Sequence, residues 1–131
     1  MRKQTIVRGD HGRIVLMDTI TSVDASDAGA IVIAASHGGT SSGEFALLHP
    51  LAAVFFNDAG VGKDDAGIAA LAMLQTRGVA AGAVSHQSCR IGDADDMWKH
   101  GVISHANPAA LALRLLPGLS LRDALTRLAG A

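Results

Sequence analysis

The dipeptide Ser-His occurs at Ser36-His37, Ser85-His86 and Ser104-His105, each time directly after a short apolar run. Imidazole titrates near neutrality, so His37, His86 and His105 are the natural candidates for moving a proton. Asn57-Asp58 closes a further apolar run between the first two copies. A carboxylate there can act as a base, a metal ligand or a hydroxyl binder. Asp58 is thus expected to work with His37 or His86, with His105 and Asn57 beside them. His11, His49 and His100 fall at turns or helix ends and read as structural.

Groups suited to an anion lie in the same segments. Ser36, Gly38 and Gly39 open a glycine- and hydroxyl-rich stretch ahead of a helix, where backbone N–H groups attract negative charge. Lys63 follows Asp58 in a second glycine-rich stretch. Arg90 offers a guanidinium fork suited to carboxylate or phosphate. Its neighbour Cys89 is the only cysteine, and isolated cysteines are mostly small buried hydrophobes. The Cys-x₅-Arg spacing of tyrosine phosphatases is absent.

Several specific chemistries lack their spacing. There is no G-x-x-x-x-G-K-[ST] or G-x-G-x-x-G, hence no fingerprint for a nucleotide cofactor. H-x-x-x-H, C-x-x-C and HExxH are missing, so a metal held by two of the candidate His and Asp58 is possible but not favoured. The residues instead suit acid–base chemistry on a small anionic metabolite, of hydrolase, lyase or isomerase type. The alternatives are a non-catalytic metabolite- or nucleotide-binding module and a structural subunit whose final apolar helix packs on a partner.

These residues must be positioned by alternating strands and helices. Strands are predicted at Arg13–Met17, Ala30–Ala35, Ala52–Phe56, Val79–Val84 and Val102–Ser104, with Thr5–Arg8 as an antiparallel edge. Helices are expected from Ser42 to Leu48 after a Ser41/Glu44 capping box, and from Asp64 or Asp65 to Arg77. Others span Asp93–His100, Asn107 to about Leu116, and Ser120 to Leu128. Strands without polar alternation, each followed by a helix, indicate a sheet buried on both faces. The expected fold is a single α/β domain over 1–131: a small three-layer αβα unit with a mainly parallel, doubly wound sheet of about five strands. In such sheets ligands gather outside the carboxyl ends of the strands.

Composition narrows the partners. A net charge of −1 with scattered basic residues, and aromatics at only 3%, argue against nucleic acid, which needs a basic stripe or stacking platforms. The charged start MRKQTIVRGDHGR has no following apolar run to make a secretion signal, and Ala28–Ala35 is too short to span a bilayer. A cytoplasmic protein is expected, without a membrane partner. A sheet this small encloses little volume, which points to a homo-oligomer that completes the pocket. Eleven of the twelve acids are Asp, a residue of turns, caps and sites. Helix starts and a loop account for most of them, leaving Asp18 and Asp58 at strand exits.

Overall fold

The computed structural model describes residues 3–131; the first two positions of the charged start lie outside them. Six strands form one sheet: β1 (Lys3–Gly9), β2 (Gly12–Met17), β3 (Ile31–His37), β4 (Ala53–Asn57), β5 (Ala80–Val84) and β6 (Ile103–Ala106). They lie side by side in chain order. β2 to β5 are parallel, while β1 and β6 run antiparallel at the two edges. The helices are α1 (Thr40–Ala46), α2 (Ala69–Gln75), α3 (Ala94–His100), α4 (Pro108–Ala112) and α5 (Leu121–Ala129). This is the expected αβα domain with its antiparallel N-terminal strand.

Alternation along the parallel strands divides the interior into two cores. Val15, Met17, Val32, Ala34, Val54, Phe56 and Ala81 face one way, toward α1 and α2. Ile14, Leu16, Ile31, Ile33, Ala53, Phe55, Ala80 and Val84 face the other, toward α3 and α5. Parallel strands that step sideways the same way, through right-handed connections, send every crossover over one face. Here α1 and α2 fill that face. The order shows no strand reversal, so the second face is covered by helices that follow β5.

Few aromatics make the sheet thin, and close contacts replace bulk. A Cβ at Gly82 on β5 would meet the Phe55 ring and lie 2.7 Å from the His105 carbonyl oxygen. Glycine there lets the ring lie across the neighbouring strand. Asn107 caps α4 by accepting from the Ala110 N–H (2.9 Å), with Pro108 at N1 as expected. Its side chain also accepts from Ala81 N–H and donates to the Leu71 and Val79 carbonyls, pinning α4 to α2 and β5.

Three helix boundaries differ from expectation. α1 begins at Thr40 after Gly39, which puts Ser41 inside the helix and leaves no Ser41/Glu44 capping box, while the Ser42 hydroxyl donates to the His37 carbonyl. α2 begins only at Ala69, since Asp64 and Asp65 hold left-handed backbone (φ 55° and 58°) that no helix continues through. α4 ends at Ala112, and Arg114 is also left-handed (φ 64°). Gly82→Ala should destabilise the fold by about 1–3 kcal/mol through overpacking against Phe55. Urea unfolding should show this as a lower midpoint at unchanged slope.

Candidate functional site

Asp58 leaves β4 at the carboxyl edge of the parallel strands, its N–H held by the Val84 carbonyl at the end of β5 (2.9 Å). The residue is 4% exposed. Its Oδ1 accepts from the N–H groups of Gly60 (2.8 Å) and His86 (3.1 Å) and lies 3.1 Å from His86 Nδ1. Oδ2 accepts from the Ser104 hydroxyl at 2.7 Å. Burial pushes the carboxyl up, but the Gly60 N–H, the Ser104 hydroxyl and His86 outweigh it and hold it below its ordinary value. Asp58 is therefore ionised at neutral pH. A carboxylate only accepts, so Nδ1 of His86 carries a proton, and in the neutral ring the lone pair is left on Nε2 of a half-exposed side chain.

Sequence explains the loop that holds this carboxylate. Asn57 Oδ1 accepts from the Ala59 N–H (2.8 Å), and Asp58 Oδ1 from that of Gly60, which makes two successive Asx turns. The chain then passes through Ala59, Gly60, Val61 and Gly62 at φ of 51°, 75°, 66° and 76°. Left-handed backbone suits glycine but costs about 1–2 kcal/mol at each of Ala59 and Val61. The loop is held by bonds from Val61 N–H to the Asp58 carbonyl (2.7 Å) and from Gly67 N–H to that of Val61 (2.6 Å). Gly67, expected inside a helix, instead lies against this loop: a Cβ there would run into the Asp58 carbonyl.

The expected residues are placed as follows. His86 and Asp58 touch, and His105 joins them through Ser104, its Nδ1 3.0 Å from the hydroxyl and 3.9 Å from Asp58 Oδ2. His37 ends β3 in register with Asn57, exposed, with no bond to Asp58 among the described residues. The Ser36 hydroxyl accepts from the Ile20 N–H (3.2 Å) and so closes the 20–22 turn. Gly38 and Gly39 are buried, with Gly38 bonded through its backbone to Asn57 and Ala70. Asn57 is buried too, its amide facing the Cys89 carbonyl and sulfur. Lys63 and Arg90 are exposed, and neither forms an ion pair among the described residues.

Other acids and the thiol have structural surroundings. Asp18 accepts from the Ala94 N–H (3.0 Å), which ties β2 to the start of α3, and Asp93 caps that helix as expected. Burial pushes the Cys89 thiol up, away from the thiolate a nucleophile needs. Ser104 is the residue whose part the sequence concealed. Ser104-His105 was expected at a strand exit, but it lies within β6, whose antiparallel course brings it beside the end of β5. Two hollows flank the network. One, of about 440 Å³, is lined by Asn57, Ala59, His86, Cys89, Arg90 and Ile91. The other, of about 740 Å³, is mostly apolar and includes Ser104, His105, Asp64, Asp65, Leu71 and Pro117.

Among the described residues no three His, Cys, Asp or Glu side chains are grouped to hold a metal ion, and no helix is long and apolar enough to cross a membrane. Comparison with known proteins finds no matching family model, no matching curated relative and no matching solved structure.

A carboxyl lowered on folding confers stability that is complete above its ordinary value of 3.8 and is lost as pH falls through the folded one. Asp58→Asn should therefore be less stable than wild type by about 2–3 kcal/mol at pH 7. That deficit should narrow steadily below pH 4 in urea unfolding. A constant deficit from pH 7 to pH 3 would show that the carboxylate is not the stabilising form.

Proposed function

We propose that this protein is a small-molecule enzyme whose acid–base group is His86, oriented and electrostatically supported by Asp58. The observation that carries the reading is the buried, ionised Asp58 gripping Nδ1 of His86 while the ring stays half exposed beside a hollow. An imidazole held in one tautomer presents a defined base to a substrate and returns the proton as a defined acid. Arg90 lines the same hollow with its guanidinium unpaired among the described residues, which suits a carboxylate- or phosphate-bearing metabolite. Lys63, after the β4 loop, and His37, at the end of β3, are exposed and add positive or hydrogen-bonding character to the edge.

A panel of carboxylated and phosphorylated metabolites, screened for both thermal stabilisation and turnover, tests this reading. His86→Ala should lower kcat by about 10²–10⁴ while leaving ligand affinity largely intact. Arg90→Ala should instead raise KM about tenfold, the loss of a charge-assisted contact. Cys89→Ala should turn over like wild type. Stabilisation by a metabolite without turnover of any panel member would favour the second reading, a regulatory binding module at the same edge.

The protein is also read as a cytoplasmic homo-oligomer. Leu111, Leu113, Leu116 and Leu119 are all 36–42% exposed within one short segment, an apolar surface of the kind that subunit contacts cover. Its single free thiol fits a reducing compartment. Sedimentation should give more than the 13.4 kDa mass of one chain, and Leu113→Glu with Leu116→Glu should return it to that mass. A wild-type monomer at micromolar concentration would remove this part of the reading.

A further inference from the structure

We propose that His105 is a second proton-transfer group of this site, held through Ser104 by the same carboxylate that holds His86, and that the reaction is a two-proton isomerisation or elimination. The inference rests on the Asp58–His86 reading above and adds a second arm to it.

Donor bookkeeping carries the argument. Ser104 has a single hydroxyl proton, and its shortest acceptor is Asp58 Oδ2 at 2.7 Å, against 3.3 Å to the Ala83 carbonyl. With that proton given to the carboxylate, the hydroxyl can only accept from His105 Nδ1 at 3.0 Å. Nδ1 of His105 therefore carries a proton, and in the neutral ring the lone pair is left on Nε2, the same tautomer as neutral His86. One carboxylate thus sets two imidazoles, one directly on Oδ1 and one by relay on Oδ2. Both rings are partly exposed, at 50% and 37% of their side chains, and each lines one of the two hollows.

Two imidazoles around one negative charge suit a reaction that removes one proton and returns another. The step starts with one ring neutral and the other protonated, so that one imidazolium faces one buried carboxylate. The neutral Nε2 takes a proton from a substrate carbon as the C–H bond breaks and its electron pair stays on the substrate. The protonated ring then delivers its Nε2 proton to a different atom, forming a new C–H bond or protonating a departing oxygen. The pair begins and ends with one extra proton, so no co-reactant or oxidant is required. Ser104 is a positioning residue in this scheme, since it acts only through His105.

Two measurements on the full chain test it. Ring-nitrogen NMR, at a pH where both rings are neutral, should find the Nδ1–H tautomer at His86 and His105. Ser104→Ala should release His105 alone to the Nε2–H form, Ser104→Thr should restore it, and Asp58→Asn should release both. An Nε2–H tautomer at His105 in the wild type, or no change in Ser104→Ala, overturns the relay. The second measurement follows deuterium uptake from D₂O into a panel of 2-substituted carboxylates and phosphate monoesters. His105→Gln and Ser104→Ala should each lose about tenfold or more, with Ser104→Thr near wild type. Wild-type uptake in His105→Gln alongside an inactive His86→Gln overturns the second arm while leaving the Asp58–His86 reading intact. No uptake by the wild type on any member overturns the two-proton step, and turnover in the metabolite panel then decides the broader reading separately.

Discussion

An ionised carboxylate with only 4% of its residue exposed must have its lost hydration replaced by donors, and Asp58 obtains four contacts from three separate chain segments. That requirement organises the carboxyl edge of the sheet. The Gly60 N–H comes from the left-handed loop after β4, the His86 N–H and ring from the turn after β5, and the Ser104 hydroxyl from β6. If any one segment shifts, a charge is left buried with too few partners. The strained conformation of Ala59 and Val61 persists under this demand, because the same loop must deliver Gly60 to the carboxylate and then return to Gly67.

Strand order decides how such an edge can form. A sheet that winds in one direction has no reversal point, and so lacks the crevice where ligands commonly settle in doubly wound sheets. Here the antiparallel course of β6 sets Ser104 beside Asp58 at that edge instead. Ala83 pairs with His105 and Val84 with Ile103, which sets the first half of β6 beside the end of β5. Small residues permit the arrangement: Gly82 admits the Phe55 ring, and Asn107 fastens the chain just after β6 with four hydrogen bonds to α2, β5 and α4. The Asp58 network and this packing anchor are thus close in the chain, with Ser104 and His105 only a few residues ahead of Asn107.

Several of the many Asp residues share one physical basis. The short side chain reaches backbone N–H groups two or three residues on, as Asp58 does to Gly60, Asp93 to Asp96 and Asp24 to Ser26. Asp18 uses the same reach across the sheet, to the first turn of α3. Ser26 and Lys3 bring Asp24 down to a pKa of about 2, and Lys3 ties the edge strand to this turn and to buried Asp27. Among these acids, Asp58 is the one bonded to an imidazole at the strand exits.

Much of this was legible in the residues themselves. The β-branched runs, the Asn107-Pro108 and Ser120 caps and the polar ends of β3, β4 and β5 follow from local preference and hydrophobic period. That reasoning reached the layered fold and named His37, Asp58 and His86 together, of which Asp58 and His86 meet while His37 stays apart. It could not reach Ser104 as their partner, because a four-residue strand reads the same whether it pairs parallel or antiparallel. It also placed a helix start at Asp64 or Asp65, where helix propensity lost to the loop bonds around Val61 and Gly67, and a Ser41 cap on α1, which instead begins one residue earlier at Thr40. By itself the sequence determined which residue types stand at the edge. Tertiary structure decided which of them meet, since hydrogen bonds to a buried charge form only between segments that the sheet has already brought together.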